Sequence, residues 1–431
     1  MSLTKAKLST DTKLERIAWL SRQDSSKVFG SLMHHFNEES LKRCYYQLDS
    51  GKAVGIDGVN KKAYGANFGE NLKKLVANMK RMAYRPGTIR QVAIPKEGQS
   101  GQRLLGISNF EDKIVQKMMQ KVLESIYEPI FLDCSYGFRT GRSCHSALKE
   151  LRHHLDTRPV TTVIDIDLEN FFGTIDHKEL VKILQIKIKD KRFIRYIVRM
   201  LKSGILANGE LSVSEEGAVQ GSICSPVIAN VFAHYVIDLW FEETVKTHCK
   251  GETRLFRYSD DCVACCEFAE DALRIRTALA KRLAKYKLKL HEEKTKLVNF
   301  KKGSNNFFDF LGFTFYWGVT RAGNKVPKIK TEGKRLRLKL KKVNNWAKEV
   351  RNKYPLKEIW DKFCVKLQGH IRYYGVSFNF MRVNEFIVQT TRIMFKWLNR
   401  RSQKKSFSWD KFQLFLESNP LPKALIYHKL F

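Results

Sequence analysis

The chain has 431 residues, 43% of them hydrophobic and 28% charged, which is enough for two or three domains with a sizeable core and too apolar for a disordered polymer. Lys and Arg number 78 against 44 Asp and Glu, a net charge of +34 that points to a polyanionic partner. No apolar run reaches the ~18 residues of a membrane helix, and the basic charge is spread along the chain rather than gathered beside one segment, which excludes a membrane partner on this reading.

The first fifty residues read as helical, with Leu14, Ile17 and Ala18 and then Val28, Leu32 and Phe36 at helical spacing. Their mixed charge leaves no apolar core for a secretory signal. Gly51–Val59 is a glycine-punctuated loop. A helix is expected from Asn71 to Ala83, stopped at Arg85-Pro86-Gly87. An alternating strand, Arg90 to Pro95, and a second strand, Leu104 to Ile107, then form a hairpin carrying Lys96 and Arg103. Beside a nucleotide site that pair would clamp a triphosphate, Arg as a fork and Lys as a point charge. Glu111 to Tyr127 is an amphipathic helix, Ser135–Ser143 a basic loop with Arg139 and Arg142, and Ser143 a cap for the helix that follows.

Val163 to Leu168 alternates with period two, so Asp165 and Asp167 share a face; alternation does not choose between them. Glu169-Asn170-Phe171-Phe172 follows, and Ile175-Asp176-His177 opens a helix. In Glu216–Pro226 the glycines and serines permit backbone to lie close under a flat ligand, and Ser225 with Pro226 reads as N-cap and first turn of a helix from Val227 to Phe241.

Leu255 to Cys266 reads as strand, tight turn, strand, with Asp260 and Asp261 in the turn. Alone, such a pair is ordinary turn chemistry. Cys262-x-x-Cys265 lacks a second ligand pair and reads as buried hydrophobe, and the nine scattered Cys suit reduced thiols inside a cell. Glu270 to Tyr286 is helical, Leu288 to Val298 strand–turn–strand, and Phe307 to Trp317 an aromatic hairpin bent at Gly312. Residues 331–353 carry nine Lys or Arg against two Glu around a helical stripe of Leu336, Leu340, Val343, Ala347 and Val350, better read as lying along a phosphate backbone. Helices are expected from Trp360 to Tyr374, Met381 to Arg401 and Trp409 to Leu416.

A strand ending in Asp167, a distant hairpin bearing Asp260 and Asp261, and strong basicity combine into one chemistry. Carboxylates from separate strands suit two Mg²⁺ ions, which take hard oxygen ligands and keep substrate phosphates in their shells.

On these motifs, in this order, the sequence resembles the group II intron-encoded reverse transcriptase/maturase family over almost its whole length. Gly51–Val59 is similar to the family's N-terminal extension motif, and Ile94-Pro95-Lys96 through Ile107, then Ser135–Ser143, to its fingers motifs. Asp167–Phe172 is similar to the first catalytic motif, which selects Asp167 over Asp165. Gln220-Gly221 through Pro226 resembles the motif under the templating pair. Tyr258-Ser259-Asp260-Asp261 is similar to the polymerase box, with Ser259 where Ala is usual, and Val219 stands where the loop usually has Pro. His291–Thr295 matches the segment that supplies Lys294, Phe310-Leu311-Gly312-Phe313 the primer grip, and the basic helix with Gly369–Tyr374 and Arg400-Arg401-Ser402 the thumb.

The resemblance implies a right-hand polymerase fold, with α/β fingers and palm and an α-helical thumb/maturase domain. The expected partition is an N-terminal extension at 1–60, fingers at 61–160, palm at 161–320, thumb at 321–400 and a basic segment at 401–431. It implies RNA-directed DNA synthesis with two Mg²⁺ (Mn²⁺ as substitute) held by Asp167, Asp260, Asp261 and the Leu168 carbonyl. Lys294 is then the proton donor to pyrophosphate. Lys96 and Arg103 take the triphosphate, Phe172 excludes a 2′-hydroxyl, and Gln220 meets the incoming nucleotide. Arg139, Arg142, Lys334, Arg335, Arg337, Lys341, Lys342, Arg400 and Arg401 are candidate nucleic-acid contacts. The implied partners are RNA template, DNA primer, dNTP, a structured group II intron RNA and target DNA, in the bacterial cytoplasm on nucleic acid. A Cys/His-rich endonuclease domain is not expected. The alternatives are a free-standing relative in DNA repair or phage defence, and an RNA-binding splicing scaffold.

Overall fold

Period-two alternation in Thr162–Asp167 and in Asp261–Cys266 puts apolar side chains on both faces of each strand, so a sheet built on these two strands must be covered from both sides. The computed structural model, which describes residues 10–95, 102–207, 210–212, 216–217, 221–401 and 408–431, meets that demand. Its strands, in chain order, are β1 (Ile89–Pro95), β2 (Gln102–Ile107), β3 (Thr162–Asp167), β4 (Ile205–Ala207), β5 (Glu210–Ser212), β6 (Thr253–Tyr258), β7 (Asp261–Cys266), β8 (Lys296–Asn299), β9 (Phe307–Phe310), β10 (Phe313–Val319) and β11 (Lys325–Thr331).

The central sheet has the order β6-β7-β3-β8 and is antiparallel throughout. Ile164, Ile166, Leu255, Ala264 and Cys266 face a core shared with the N-terminal half of the chain. Val163, Phe256, Val263 and Cys265 face a second core, shared with the aromatic strands and the C-terminal helices. Cys262 and Cys265 therefore point to opposite sides, as expected of buried thiols rather than joint ligands. A second sheet, β2-β1-β4-β5, joins an antiparallel hairpin to β4 by one parallel pairing. The third sheet, β11-β10-β9, lays Phe308, Phe310, Phe313 and Phe315 into the second core.

Helix Phe110–Tyr127 buries Ile114, Met118, Val122 and Ile126 at helical spacing. Ser143 caps helix Cys144–Thr157 through a reciprocal pair with Ser146. Three long helices, Gly333–Val350, Leu356–Tyr374 and Phe380–Leu398, and a shorter one, Trp409–Ser418, make the C-terminal part. The resulting body is mixed α/β with a helical end, and among the described residues no helix is long and apolar enough to cross a membrane.

Three expectations need correction. The helix read from Val227 to Phe241 starts at Ser225, with Cys224 at the N-cap, because Pro226 fits the first turn one step further in; it is α-helical only to Ala233 and then widens into π turns at His234–Asp238 and Phe241–Val245. The segment Leu288 to Val298 is not a hairpin. Leu290 makes a single bridge to Leu168, and regular pairing begins at β8. The N-terminal helical stretch is two helices, Thr10–Gln23 and Glu38–Gln47, separated where Phe29 bridges Ile188.

One buried side chain ties these parts to the β6–β7 turn. Arg257 has no exposed surface, and all five of its guanidinium hydrogens are used. It donates to both Asp238 oxygens (2.6 and 2.5 Å), Asn230 Oδ1 (3.0 Å), Ser135 Oγ (2.7 Å) and the Ser259 carbonyl (3.1 Å). Burial acts to lower its pKa; the Asp238 carboxylate outweighs that and moves it up. Removing one member of a buried pair leaves the other uncompensated. Arg257→Met is expected to cost about 3–5 kcal/mol in urea unfolding, and the double change with Asp238→Leu to restore most of it. A single variant within about 1 kcal/mol of the parent would contradict this assignment.

Candidate active site

The register of the central sheet assembles the site. Asp167, the last residue of β3, stands opposite Asp261, the first of β7, and Asp165 stands opposite Val263. Partners across an antiparallel pair share a face, so Asp165, Asp167 and Asp261 lie together, on the side of the second core. Tyr258 and Asp261 close the β6–β7 hairpin, leaving Ser259 and Asp260 as a two-residue loop. Ser259 takes φ +64°, the left-handed value that one residue of a tight hairpin loop must adopt. Gly137 lies against this loop so closely that a Cβ there would sit 2.5 Å from the Ser259 nitrogen.

Crowded acids are costly, and their protonation shows it. Burial, then the charges of Asp165 and Asp260, pushes the Asp261 carboxyl up to about 7, against the pull of the Leu311 amide and Arg335. Burial, then Asp309, pushes Asp165 up to about 7 as well. Lys294 Nζ stands 3.9 Å from Asp167 Oδ2, and both side chains are well exposed. Backbone fixes this corner: the His291 amide donates to the Asp167 carbonyl (2.9 Å), and Thr295 Oγ1 accepts from the Asp167 amide (3.3 Å).

An oxygen-only set with excess negative charge fits Mg²⁺. Among the described residues no three His, Cys, Asp or Glu side chains close into a ready-made metal cage. Mg²⁺ does not require one, since one or two carboxylates, waters and substrate phosphates complete its shell.

The other sequence candidates divide. Phe172 sits in a short 3₁₀ turn beside Asn170, which is left-handed at φ +43°, and packs edge-on to Phe171 at 5.7 Å. Leu168 is buried next to Asp167. Lys96 and Gln220 lie outside the described residues, and of Arg103 only the backbone, opposite Ile94, is described. Arg139 is not a surface contact: it is buried against Glu128 (2.9 Å) and the carbonyls of Leu132 and Ser135, so its charge holds the loop together. Arg142 likewise pairs with Asp133 and covers the Tyr136 ring. Lys334, Arg337, Lys341 and Lys342 are exposed on helix Gly333–Val350, whereas Arg335 pairs with Glu332 at 3.0 Å. Arg400 lies over the Trp397 ring, and Arg401 donates to the Tyr354 carbonyl. The sequence reading missed Arg257, Asp238 and Asn230 under the turn, and Asp309 beside Asp165. An Arg inside the apolar run Leu255–Tyr258 was the available signal for the first.

Residues 94–315 match the family described as reverse transcriptase (RNA-dependent DNA polymerase). The chain is similar to the group II intron-encoded protein LtrA of Lactococcus lactis subsp. cremoris, 33% identical over 222 residues, which cover 51% of this chain and 37% of that protein. Protein YkfC of Escherichia coli (strain K12) is 34% identical over 180 residues, 41% of this chain and 47% of YkfC. The putative COX1/OXI3 intron 1 protein of Saccharomyces cerevisiae is 27% identical over 263 residues, 58% of this chain and 31% of that protein. The chain thus covers less than half the length of each of these relatives.

The raised acids make stability depend on pH. In the unfolded chain these carboxyls titrate near 4, so the folded state holds their protons more tightly. Their stabilisation is complete below about pH 4 and is lost as pH rises through about 7. With metal chelated, Asp261→Asn is expected to melt above the parent protein at pH 8, and the gap to narrow toward pH 5. Each tenfold difference in proton affinity between the folded and unfolded chain is worth about 1.4 kcal/mol. Thermal unfolding at the two pH values reads the effect, and a gap that widens toward pH 5 contradicts it.

Proposed function

Because the chain belongs to the reverse transcriptase (RNA-dependent DNA polymerase) family, we propose that it copies RNA into DNA at the cluster of Asp167, Asp260 and Asp261. The observation that carries this reading is the β3–β7 register, which sets Asp167 opposite Asp261 with Asp260 next to it in the turn. In this reading the central sheet is the palm, the β2-β1-β4-β5 sheet belongs to the fingers, and the C-terminal helices form the thumb.

Asp167 and Asp260 are the direct ligands of two Mg²⁺ ions, with Asp261 and the Leu168 carbonyl in support. Bound there, the ions activate the primer 3′-hydroxyl and neutralise charge on the leaving pyrophosphate. The protein's own task is positioning and charge. Lys96 and Arg103 hold the triphosphate and Gln220 meets the nucleotide. Lys294, already beside Asp167, donates a proton to the leaving group. Phe172 lies under the sugar and refuses a 2′-hydroxyl.

A second role follows from the similarity to intron-encoded proteins and from the exposed cations of helix Gly333–Val350. The fingers and thumb grip a structured intron RNA, by shape and phosphate contacts, and assist its splicing; with target DNA bound, the same particle supports retrohoming. A scaffold does not need the acids, so one variant separates the two roles.

Asp260→Ala is expected to lower primer extension by about 10³-fold or more while RNA affinity and splicing support are retained. Extension at parental rate by that variant would remove the assignment. Phe172→Ala is expected to relax preference for deoxyribonucleotides by about 10–100-fold, the range open to a steric gate. Competitive incorporation of dNTP and rNTP measures it, and unchanged preference rejects the role given to Phe172.

A further inference from the structure

Helix Phe110–Tyr127 buries one side-chain amide among its apolar contacts. Gln116 is 3% exposed and shares a small pocket with Ile89, Met119, Ile197 and Met200, a setting in which a polar group without a partner is costly. Both ends of the amide are used. Nε2 donates to Ser108 Oγ at 2.9 Å, just past the end of β2, and Oε1 accepts from the Ile223 amide at 3.2 Å. A backbone amide only donates, so Ile223 fixes which way the Gln116 amide faces. One side chain thus ties the β1–β2 hairpin to the loop that precedes helix Ser225–Ala233. The same loop meets β2 a second time. Gly221, at φ +106°, lies so close that a Cβ there would sit 2.4 Å from the Gly106 carbonyl oxygen and 2.9 Å from Leu105 Cδ1. Gly221 is nevertheless exposed, while Cys224 and Ser225 behind it are buried.

We propose that Gln116 is a positioning residue for nucleotide selection, holding the Gly221–Cys224 loop at one height against β2 so that its exposed backbone meets the nascent base pair in one place. The inference rests on the reading of this chain as a polymerase, in which that loop lies beneath the templating pair. Gln116 touches no substrate and acts through the Ile223 amide. Nothing else described in the loop does this work. The Ser225 amide bonds the Ser222 carbonyl at 3.3 Å, a contact internal to the loop. The approach of Gly221 to Gly106 stops the loop from sinking onto β2 and does nothing to stop it from lifting. Lifting is opposed by the bond from Ile223 to Gln116, and a glycine-bearing segment without it has many conformations open to it. A lifted loop leaves slack beneath the pair, so that matched and mismatched pairs fit more alike. In the same reading β2 carries Arg103 to the triphosphate, and Gln116 therefore sets base support and triphosphate support relative to each other.

Gln116→Met in the full chain keeps the length and bulk of the side chain and removes both hydrogen bonds. In single-nucleotide primer extension the KM for the correct dNTP is expected to rise about three- to tenfold, the worth of one hydrogen bond. Discrimination against a mismatched dNTP falls by a similar factor, while kcat and primer–template affinity stay near the parent's. A merely structural defect lowers the fraction of active protein and so moves kcat and leaves KM alone. Gln116→Glu presents an oxygen to the Ile223 amide in either protonation state and is expected to recover most of the KM. Ser108→Ala removes only the far anchor of the amide and is expected to raise KM by a smaller factor, which carries the test in a folded protein should Gln116→Met not fold. A parental KM in both Gln116→Met and Ser108→Ala overturns the inference, as does a loss confined to kcat or a Glu variant no better than the Met variant. If those variants keep the parental KM but Asp260→Ala abolishes extension, the inference alone fails. If the parent protein extends no primer, the polymerase reading fails and takes the inference with it.

Discussion

The β6–β7 turn depends on a fully buried cation. Three acids share one face of the central sheet at the β6–β7 turn, and like charges at that spacing push a hairpin open. Arg257 lies on the opposite face, in line with Leu255 and Cys262. It pins the loop from below through the Ser259 carbonyl and is itself anchored by Asp238, Asn230 and Ser135. A buried ion pair of this kind contributes little net stability, because desolvation cancels most of the attraction. What it supplies is definition. Three segments, the Ser225–Val245 helical stretch, the Ser135 loop and the β6–β7 hairpin itself, must arrive together before the guanidinium is satisfied, and the loop bearing Asp260 is then fixed relative to β3. The backbone joins in: Arg257 pairs through both its amide and its carbonyl with Cys134 and Tyr136, so the basic loop is stitched to the edge of β6.

Strain gathers around the same place. Of the seven non-glycine residues with left-handed backbone among the described residues, four border the acids or the elements that carry them: Phe138 beside Tyr258, Asn170 before Phe172, Ser259 in the turn and Leu311 in the β9–β10 turn. Each such residue costs of order 1–3 kcal/mol and persists only where the surrounding structure over-determines it. Here the over-determination is visible. Asn230 Nδ2 holds the Gly137 carbonyl, Arg257 holds Ser259, and Tyr373 holds Leu311. The fold's stability, drawn from two large cores on either side of one sheet, is what allows a charged and strained corner between them.

That division explains what could be read from sequence. Alternation in Val163–Leu168 gave the shared face of Asp165 and Asp167, and the turn signals at Tyr258–Asp261 and at Ser143 were local, so they survived folding. The family motif separated Asp167 from Asp165, and the structure adds a physical distinction: Asp165 sits deeper, under the field of Asp309, while Asp167 faces Lys294 and solvent. The rest depended on contacts distant in sequence. Arg139 carries the same charge as any surface Arg until Glu128 and two carbonyls enclose it. Asp238 reads as one more polar position on a helix. Only the π turn and the Arg 19 positions later reveal it as an anchor.

The cations that meet the acids, Lys294 and Arg335, are, by contrast, weakly held. Lys294 approaches Asp167 only to 3.9 Å, and both side chains are close to half exposed, the regime in which a pair is worth about 1 kcal/mol or less. Arg335 is shared with Glu332 and acts on Asp261 only through its field. A site whose acids were neutralised by a buried arginine would bind no ion, because the incoming metal would have to displace a partner worth several kcal/mol. The chain separates the two tasks by the thickness of a sheet. The strong cation sits beneath, where it shapes the turn, and the weak ones sit above, on the side of the proposed metal site. The raised acids above the sheet and the fully satisfied guanidinium below it are two consequences of one arrangement. Moving Arg257 to the upper face would relieve the repulsion that the proposed metal site rests on.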